Sequence, residues 1–220
     1  MARDLCLKCQ RPTKACICAF IYKIDNKMPV LVLQHSSEVK QAKGTVALLQ
    51  RSLNTCQVIV GENFSNHSEL NKILAKHQTL LLYPSEQAQD ITLLPSYLQQ
   101  GDLQEYQNKP PLLVILDGTW KKAYRMFMLS QNLHSLIHVC LPDYLAQNGQ
   151  YLIRKVAKKN ALSSLEATCY ALALFEGELN SKPSKAYPFN EAKQVVDCGV
   201  YQPLLNKFAR FNTFQLSFRK

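Results

Sequence analysis

Short apolar runs alternate with stretches of helical period along most of the chain. Val30 to Leu33 precedes a helical pattern from Glu38 to Leu53, and Val58 to Val60 precedes one from Ser68 to Lys76. Leu80 to Tyr83 follows, then Leu112 to Leu116 with a helical pattern from Lys121 to Leu133, then Ile137 to Leu141, then a helix from Ser164 to Leu179. Runs that are apolar without period-two alternation suit strands covered on both faces. Strand and helix in repeated alternation predict an α/β fold with a mostly parallel sheet and helices on both faces. Pro84 to Pro111, rich in Gln, Ser and Pro, reads as a long crossing loop with a short helix, and Asp143 to Gly149 as a turn. No internal repeat or low-complexity linker interrupts the pattern.

The fourth strand ends on Asp117-Gly118-Thr119-Trp120. In open α/β sheets ligands collect beyond the carboxyl ends of the strands, so a carboxylate there is a candidate for chemistry. An Asp between strand and helix is also a common N-cap or turn residue. The surroundings favour a site: the chain's only Trp, a Gly, and Lys121, Lys122 and Arg125 crowd around this acid. That set suits a flat ring beside a polyanion.

Charge sharpens the expectation. Lys and Arg outnumber Asp and Glu by 26 to 16 in 220 residues, a net charge of +10, and nucleic acid is the common partner of such a protein. The cations cluster at Lys121, Lys122 and Arg125, at Arg154, Lys155, Lys158 and Lys159, and in a tail where Lys207, Arg210, Arg219 and Lys220 interleave with Phe208, Phe211, Phe214 and Phe218. Each cluster alone reads as a solvated face. No stretch is long and apolar enough for a bilayer, and the N-terminus lacks a secretory pattern, so a cytoplasmic protein without membrane contact is expected.

Four of the eight cysteines fall within the first eighteen residues: Cys6, Cys9, Cys16 and Cys18. Cys-x2-Cys is the spacing with which two thiolates grip one tetrahedral zinc ion, and Cys-x-Cys completes a closed, structural four-sulfur set. Iron–sulfur ligation, a redox pair and plain thiols are the alternatives. Lys8, Arg11 and Lys14 lie inside this knuckle and offer it to phosphate. The expected division is a knuckle at 1–22 and a main domain at 23–220. Cys56, Cys140, Cys169 and Cys198 stand singly in apolar surroundings, as buried thiols do. Ser163-Ser164-Leu165-Glu166 reads as a capping box opening the last helix, and equally as a helix N-terminus open to an anion.

In chain order, Cys-x2-Cys-x-Arg-Pro-x3-Cys-x-Cys at the N-terminus, Asp117-x-Thr119-Trp120, Tyr151-x2-Arg154-Lys155 and Ser164-Leu165-Glu166-Ala167 resemble the DTW-domain proteins, tRNA-uridine aminocarboxypropyltransferases. The likeness extends to His35-x2-Glu38 and Leu82-Tyr83-Pro84-Ser85-Glu86-x-Ala88. Ser36 stands where members usually have Pro, and Lys43-Gly44-Thr45 where Asn-Thr is common. The resemblance implies a SPOUT-like fold with a C-terminal trefoil knot, S-adenosylmethionine as donor and tRNA as acceptor. The reaction it implies is transfer of the 3-amino-3-carboxypropyl group to N3 of a uridine, in the variable loop for bacterial members, with methylthioadenosine released. Asp117 is the candidate base. Leu82, Tyr83, Leu116, Gly118, Thr119, Trp120, Ser163, Ser164 and Glu166 are the candidate donor-binding residues. The RNA would meet Arg11, Lys14, Lys121, Lys122, Arg125, Arg154, Lys155, Lys158 and Lys159. A SPOUT-like tRNA methyltransferase and a non-catalytic RNA-binding zinc protein are the rivals.

Overall fold

The computed structural model describes residues 4–94, 109–146, 162–177, 180–181 and 196–219. In chain order its strands and helices are β1 (Val30–Gln34), α1 (Val46–Ser52), β2 (Cys56–Val60), α2 (Ser68–Lys76), β3 (Gln78–Leu82), β4 (Gln89–Asp90), β5 (Pro111–Asp117), α3 (Trp120–Leu129), β6 (Ile137–Cys140), α4 (Asp143–Ala146), α5 (Ser164–Phe175), β7 (Asn180–Ser181), β8 (Val196–Asp197) and α6 (Gln202–Leu216). Six strands form one sheet in the order β2-β1-β5-β3-β6-β4, with every pairing parallel. β7 and β8 form a separate antiparallel pair.

Strand residues alternate between two apolar layers. Val30, Val32, Leu80, Leu113, Ile115 and Val139 face α1, α5, α6 and the knuckle residues Cys9 and Ile17. Leu31, Leu33, Leu81, Leu112 and Val114 face Leu70 of α2, Met126 of α3 and Phe64. The middles of the inner strands β1, β3 and β5 are apolar because both faces are covered, as the sequence pattern predicts, whereas the edge strands β2 and β4 carry exposed polar residues. Each fully buried aliphatic side chain contributes about 1.5–3 kcal/mol.

Several boundaries differ from expectation. The predicted helix Glu38–Leu53 is a 3-10 turn at Ser36–Glu38, then a loop, then α1. The backbone folds tightly at Gly44, whose N–H donates to Gln41 O at 2.9 Å and where a Cβ would meet that oxygen at 3.1 Å. α3 ends at Leu129 rather than Leu133: Ser130 leaves helical dihedrals (φ −107°, ψ 81°) and its hydroxyl accepts from Phe64 N. A one-turn helix, α4, occupies the start of the predicted turn Asp143–Gly149, and α5 ends at Phe175, short of Leu179. In the long crossing loop, Asp90 caps a 3-10 turn at Ile91–Leu93 through Thr92 N at 2.8 Å. The tail read above as interleaved cations and aromatics is largely α6. Its Phe208 and Phe211 are core residues, and Phe211 and Phe214 pack on Phe20 at 5.6 and 5.2 Å between ring centroids.

Candidate functional site

The parallel register sets Gln34, the last residue of β1, opposite Asp117, the last of β5. Asp117 is only 5% exposed. Its Oδ2 accepts from Gln34 Nε2 at 2.9 Å, and its Oδ1 from Ser164 Oγ at 2.5 Å. Hydrogen bonds to an ionised acceptor are the stronger kind, so the carboxylate is held from two sides. Its main-chain oxygen accepts from His35 N at 2.9 Å, which places the His35-x2-Glu38 segment beside the Asp117-Gly118 turn. A Cβ on Gly118 would meet Lys122 Cβ at 3.0 Å and His35 Cβ at 3.7 Å, so the close approach of these elements depends on glycine.

Thr119 is the N-cap of α3, its Oγ1 accepting from Lys122 N at 3.4 Å. Lys122 reaches back to Glu38 Oε1 (2.8 Å) and Ser37 Oγ (2.6 Å). Ser37 N–H donates to His35 Nδ1 at 3.2 Å, so that nitrogen carries a lone pair and the ring proton sits on Nε2, 3.4 Å from Glu62 Oε1. Arg125 Nε donates to the same Glu62 oxygen at 2.8 Å. Lys122, Ser37, His35, Glu62 and Arg125 therefore form one polar chain across the mouth of the β1 and β5 ends. Trp120 is half exposed beside it.

The capping box is present: Glu166 N–H donates to Ser163 Oγ (3.2 Å) and Ser163 N–H to Glu166 Oε2 (2.8 Å). Ser163 and Glu166 are buried and brace the helix start. Ser164 is the residue that turns outward from the helix start to Asp117. Leu82 and Tyr83 lie one strand over, at the end of β3, where Tyr83 stacks on Phe127 of α3 at 4.7 Å and Leu116 packs on the same apolar layer. Ser85, in the same segment, bonds His138 Nδ1 at 2.7 Å. A cavity of about 170 Å³ lies beside Gln34 and Glu38, closed by Arg11 of the knuckle, Gly44 and α1.

The four N-terminal thiols converge, all sulfurs lying within 4.8 Å of one another. Cys6 and Cys18 are 3.8 Å apart, Cys9 and Cys16 3.7 Å. A regular tetrahedron of sulfurs at about 2.3 Å from a central zinc has an edge of about 3.8 Å. The cluster therefore fits a single tetrahedral ion rather than a multi-iron cluster, in which several metals spread the thiolates apart. The N–H groups of Cys9 and Lys8 point at Cys6 and draw its thiol down to about 6. Gln10 adopts a left-handed conformation (φ 58°) that closes this turn, its N–H on Cys6 O at 2.8 Å. Arg11 bonds Ala42 O at 2.8 Å, bracing the loop that lines the cavity, while Lys8 and Lys14 are exposed. Cys169 and Cys198 are buried as expected, whereas Cys56 and Cys140 are partly exposed.

The sequence-derived candidates thus gather at one end of the sheet: His35, Glu38, Asp117 to Trp120, Lys122, Arg125 and Ser163 to Glu166. Tyr151, Arg154, Lys155, Lys158 and Lys159 lie outside the described residues. Sequence reasoning missed Gln34 and Glu62. The only trace of Gln34 was a polar residue closing the apolar run Val30 to Leu33, and Glu62 carried no signal.

Among the described residues no helix is long and apolar enough to cross a membrane. No solved structure matches the chain. Among curated proteins, it is 31% identical to tRNA-uridine aminocarboxypropyltransferase 2 of Drosophila melanogaster over 94% of this chain and 80% of that protein. It is 29% identical to the Macaca fascicularis protein of the same name, over 79% of this chain and 57% of the relative, little more than half its length. It is 24% identical to tRNA-uridine aminocarboxypropyltransferase A of Arabidopsis thaliana, over 79% and 73%. The family model for the DTW domain matches residues 3–216, and the chain belongs to the DTW-domain family.

Proposed function

We propose that this protein transfers the 3-amino-3-carboxypropyl group of S-adenosylmethionine to N3 of a tRNA uridine, in the variable loop, and releases methylthioadenosine. The names of its relatives support the reaction. The observation that carries the site is the meeting of the Asp117-Gly118-Thr119-Trp120 turn, the His35 to Glu38 segment and the start of α5 around one buried carboxylate. A SPOUT-like arrangement with a C-terminal knot is part of the reading. Its support is that α5 packs against both β5 and the much earlier turn Ile91–Leu93, as a helix tucked into an upstream loop would.

The donor supplies an electrophilic sulfonium carbon and a thioether leaving group. The arm to be transferred carries an ammonium and a carboxylate, and the residues present fit both. The buried carboxylates at this end of the sheet attract the cation, and the first-turn amides of α5 attract the anion. Which of three sulfonium carbons reacts is decided by which one is held in line with the nucleophile, so positioning selects the product. Leu82, Tyr83, Leu116, Gly118, Thr119 and Trp120 form the surrounding wall of the donor pocket. As the N3–C bond forms, the C–S electron pair leaves with methylthioadenosine and the N3 proton passes to a base. Asp117 takes that role: Gln34 and Ser164 use one lone pair on each oxygen and leave another on each. A second reading has support in the same contacts. A carboxylate already clamped by two donors suits holding the donor's ammonium, with Glu38 or solvent receiving the proton.

Zinc in the Cys6, Cys9, Cys16 and Cys18 cluster is structural in this account, holding the knuckle against α6 and the cavity loop. Arg11, Lys14, Lys121, Lys122, Arg125, Arg154, Lys155, Lys158 and Lys159 supply cationic contacts to the tRNA backbone, and the protein works in the cytoplasm. Product analysis tests the reading. Methylthioadenosine with aminocarboxypropyluridine supports it, S-adenosylhomocysteine would mark a methyltransferase, and neither product a binding protein.

A further inference from the structure

α3 buries Ala123 and Met126 and packs Phe127 against Tyr83, yet its solvent side carries large apolar side chains. Trp120, Tyr124 and Met128 are 52%, 58% and 50% exposed. They recur every four residues, a stripe with a step of about 6 Å along the axis. Isolated exposed apolar residues need no explanation, but an aligned stripe of two aromatics and a methionine marks an interaction surface. Lys121 and Arg125 are exposed directly beside it. Lys121 forms no ion pair among the described residues, and Arg125 spends only its Nε on Glu62.

We propose that this face of α3 is a stacking ledge for unpaired bases of an RNA single strand, running from Met128 through Tyr124 to Trp120 and into the Asp117 turn. Aromatic faces accept any base, and adjacent cations track the backbone, which is the combination that single-strand binders use. The charges choose the occupant. A second copy of this chain would bring Lys121 and Arg125 against their own kind, and the chain as a whole carries +10, so the surface is matched to a polyanion. The ledge continues into the proposed site because Trp120 follows Thr119 at the end of β5. An acceptor base must leave its own stack to reach a buried carboxylate, and neighbouring bases displaced with it need somewhere to lie. The inference rests on the transferase reading for the identity of the RNA, a tRNA loop.

Trp120 is the only tryptophan, so its fluorescence reports this face alone. The full-length protein is titrated with an unstructured oligouridylate and with an RNA duplex of equal length, without donor. The expected result is quenching and tighter binding with the single strand. Tyr124→Ala should lower that affinity by about fivefold to a hundredfold with an unchanged salt slope, while Tyr124→Phe binds like wild type. Tyr124 is exposed, so the fold should persist, and a thermal melt verifies it. Wild-type affinity in Tyr124→Ala, equal binding and quenching by duplex, or a dimer that Tyr124→Ala dissolves would each overturn the ledge. A protein that binds single strands through Tyr124 but makes no product would instead sink the transferase reading and leave the ledge standing.

Discussion

Ser164 and Asp117, 47 positions apart, meet at 2.5 Å, Oγ to Oδ1, where the start of α5 touches the end of β5. This contact turns a sheet end into a site. It ties the helix that closes one face of the sheet to the carboxylate at the strand terminus, and Gln34 completes the clamp from β1. The first residue of a capped helix is a rigid place from which to hold a charge.

Ser164→Ala should therefore destabilise the protein. Removing one donor from a carboxylate that is 5% exposed costs about 1–3 kcal/mol, or roughly 2–12 °C in Tm for a chain of this size. Thermal denaturation checks it, and a shift below about 1 °C would mean that the contact contributes nothing net.

Asp117→Asn should keep the fold, because the Gln34 amide can turn to accept and the Ser164 hydroxyl can rotate toward the new acceptor. Asn cannot take a proton at neutral pH, so the single-turnover rate should fall about a hundredfold to ten-thousandfold with donor affinity largely kept. Collapse of donor affinity with a smaller loss in rate would assign Asp117 to holding the ammonium instead. Donor titration beside single-turnover kinetics separates the two.

One equivalent of zinc per chain is expected in protein purified without chelator. Stripping it should lower Tm and expose four reactive thiols. Cys169 and Cys198 should stay protected: both are buried, and burial raises the Cys198 thiol to about 12. Elemental analysis with thiol titration measures this, and below about half an equivalent of metal the four sulfurs are not a zinc site.

Replacing Lys158 and Lys159 together by Ala should weaken tRNA binding and reduce the slope of log K against log salt by about one to two units. Filter binding across a salt series checks it. An unchanged slope removes this pair from the tRNA contact.

Local rules made much of this visible beforehand. α2 runs over the predicted Ser68 to Lys76, because a single apolar stripe and a following polar break define both ends. The Ser163 to Glu166 capping box was equally legible, being a pattern of four adjacent residues. α6 was not, although Leu204, Leu205, Phe208 and Phe211 have helical spacing and Pro203 sits at its start. Lys207, Arg210 and Arg219, interleaved with those aromatics, mask their period. The clamp on Asp117 was beyond local reading. Gln34 and Asp117 are 83 positions apart and become neighbours only through the parallel register of β1 with β5. The polar chain from Lys122 to Arg125 is likewise tertiary. Cations assigned to RNA from sequence turn out to have acidic partners, Glu38 and Glu62, supplied by other elements.

Mass spectrometry of both products, after unmodified tRNA is incubated with the protein and S-adenosylmethionine, tests the transfer most directly. The expected result is methylthioadenosine in equal amount to a uridine heavier by the aminocarboxypropyl group, both lost in Asp117→Asn. S-adenosylhomocysteine with a methylated nucleoside, or no nucleoside product from zinc-loaded protein that binds tRNA, would contradict it.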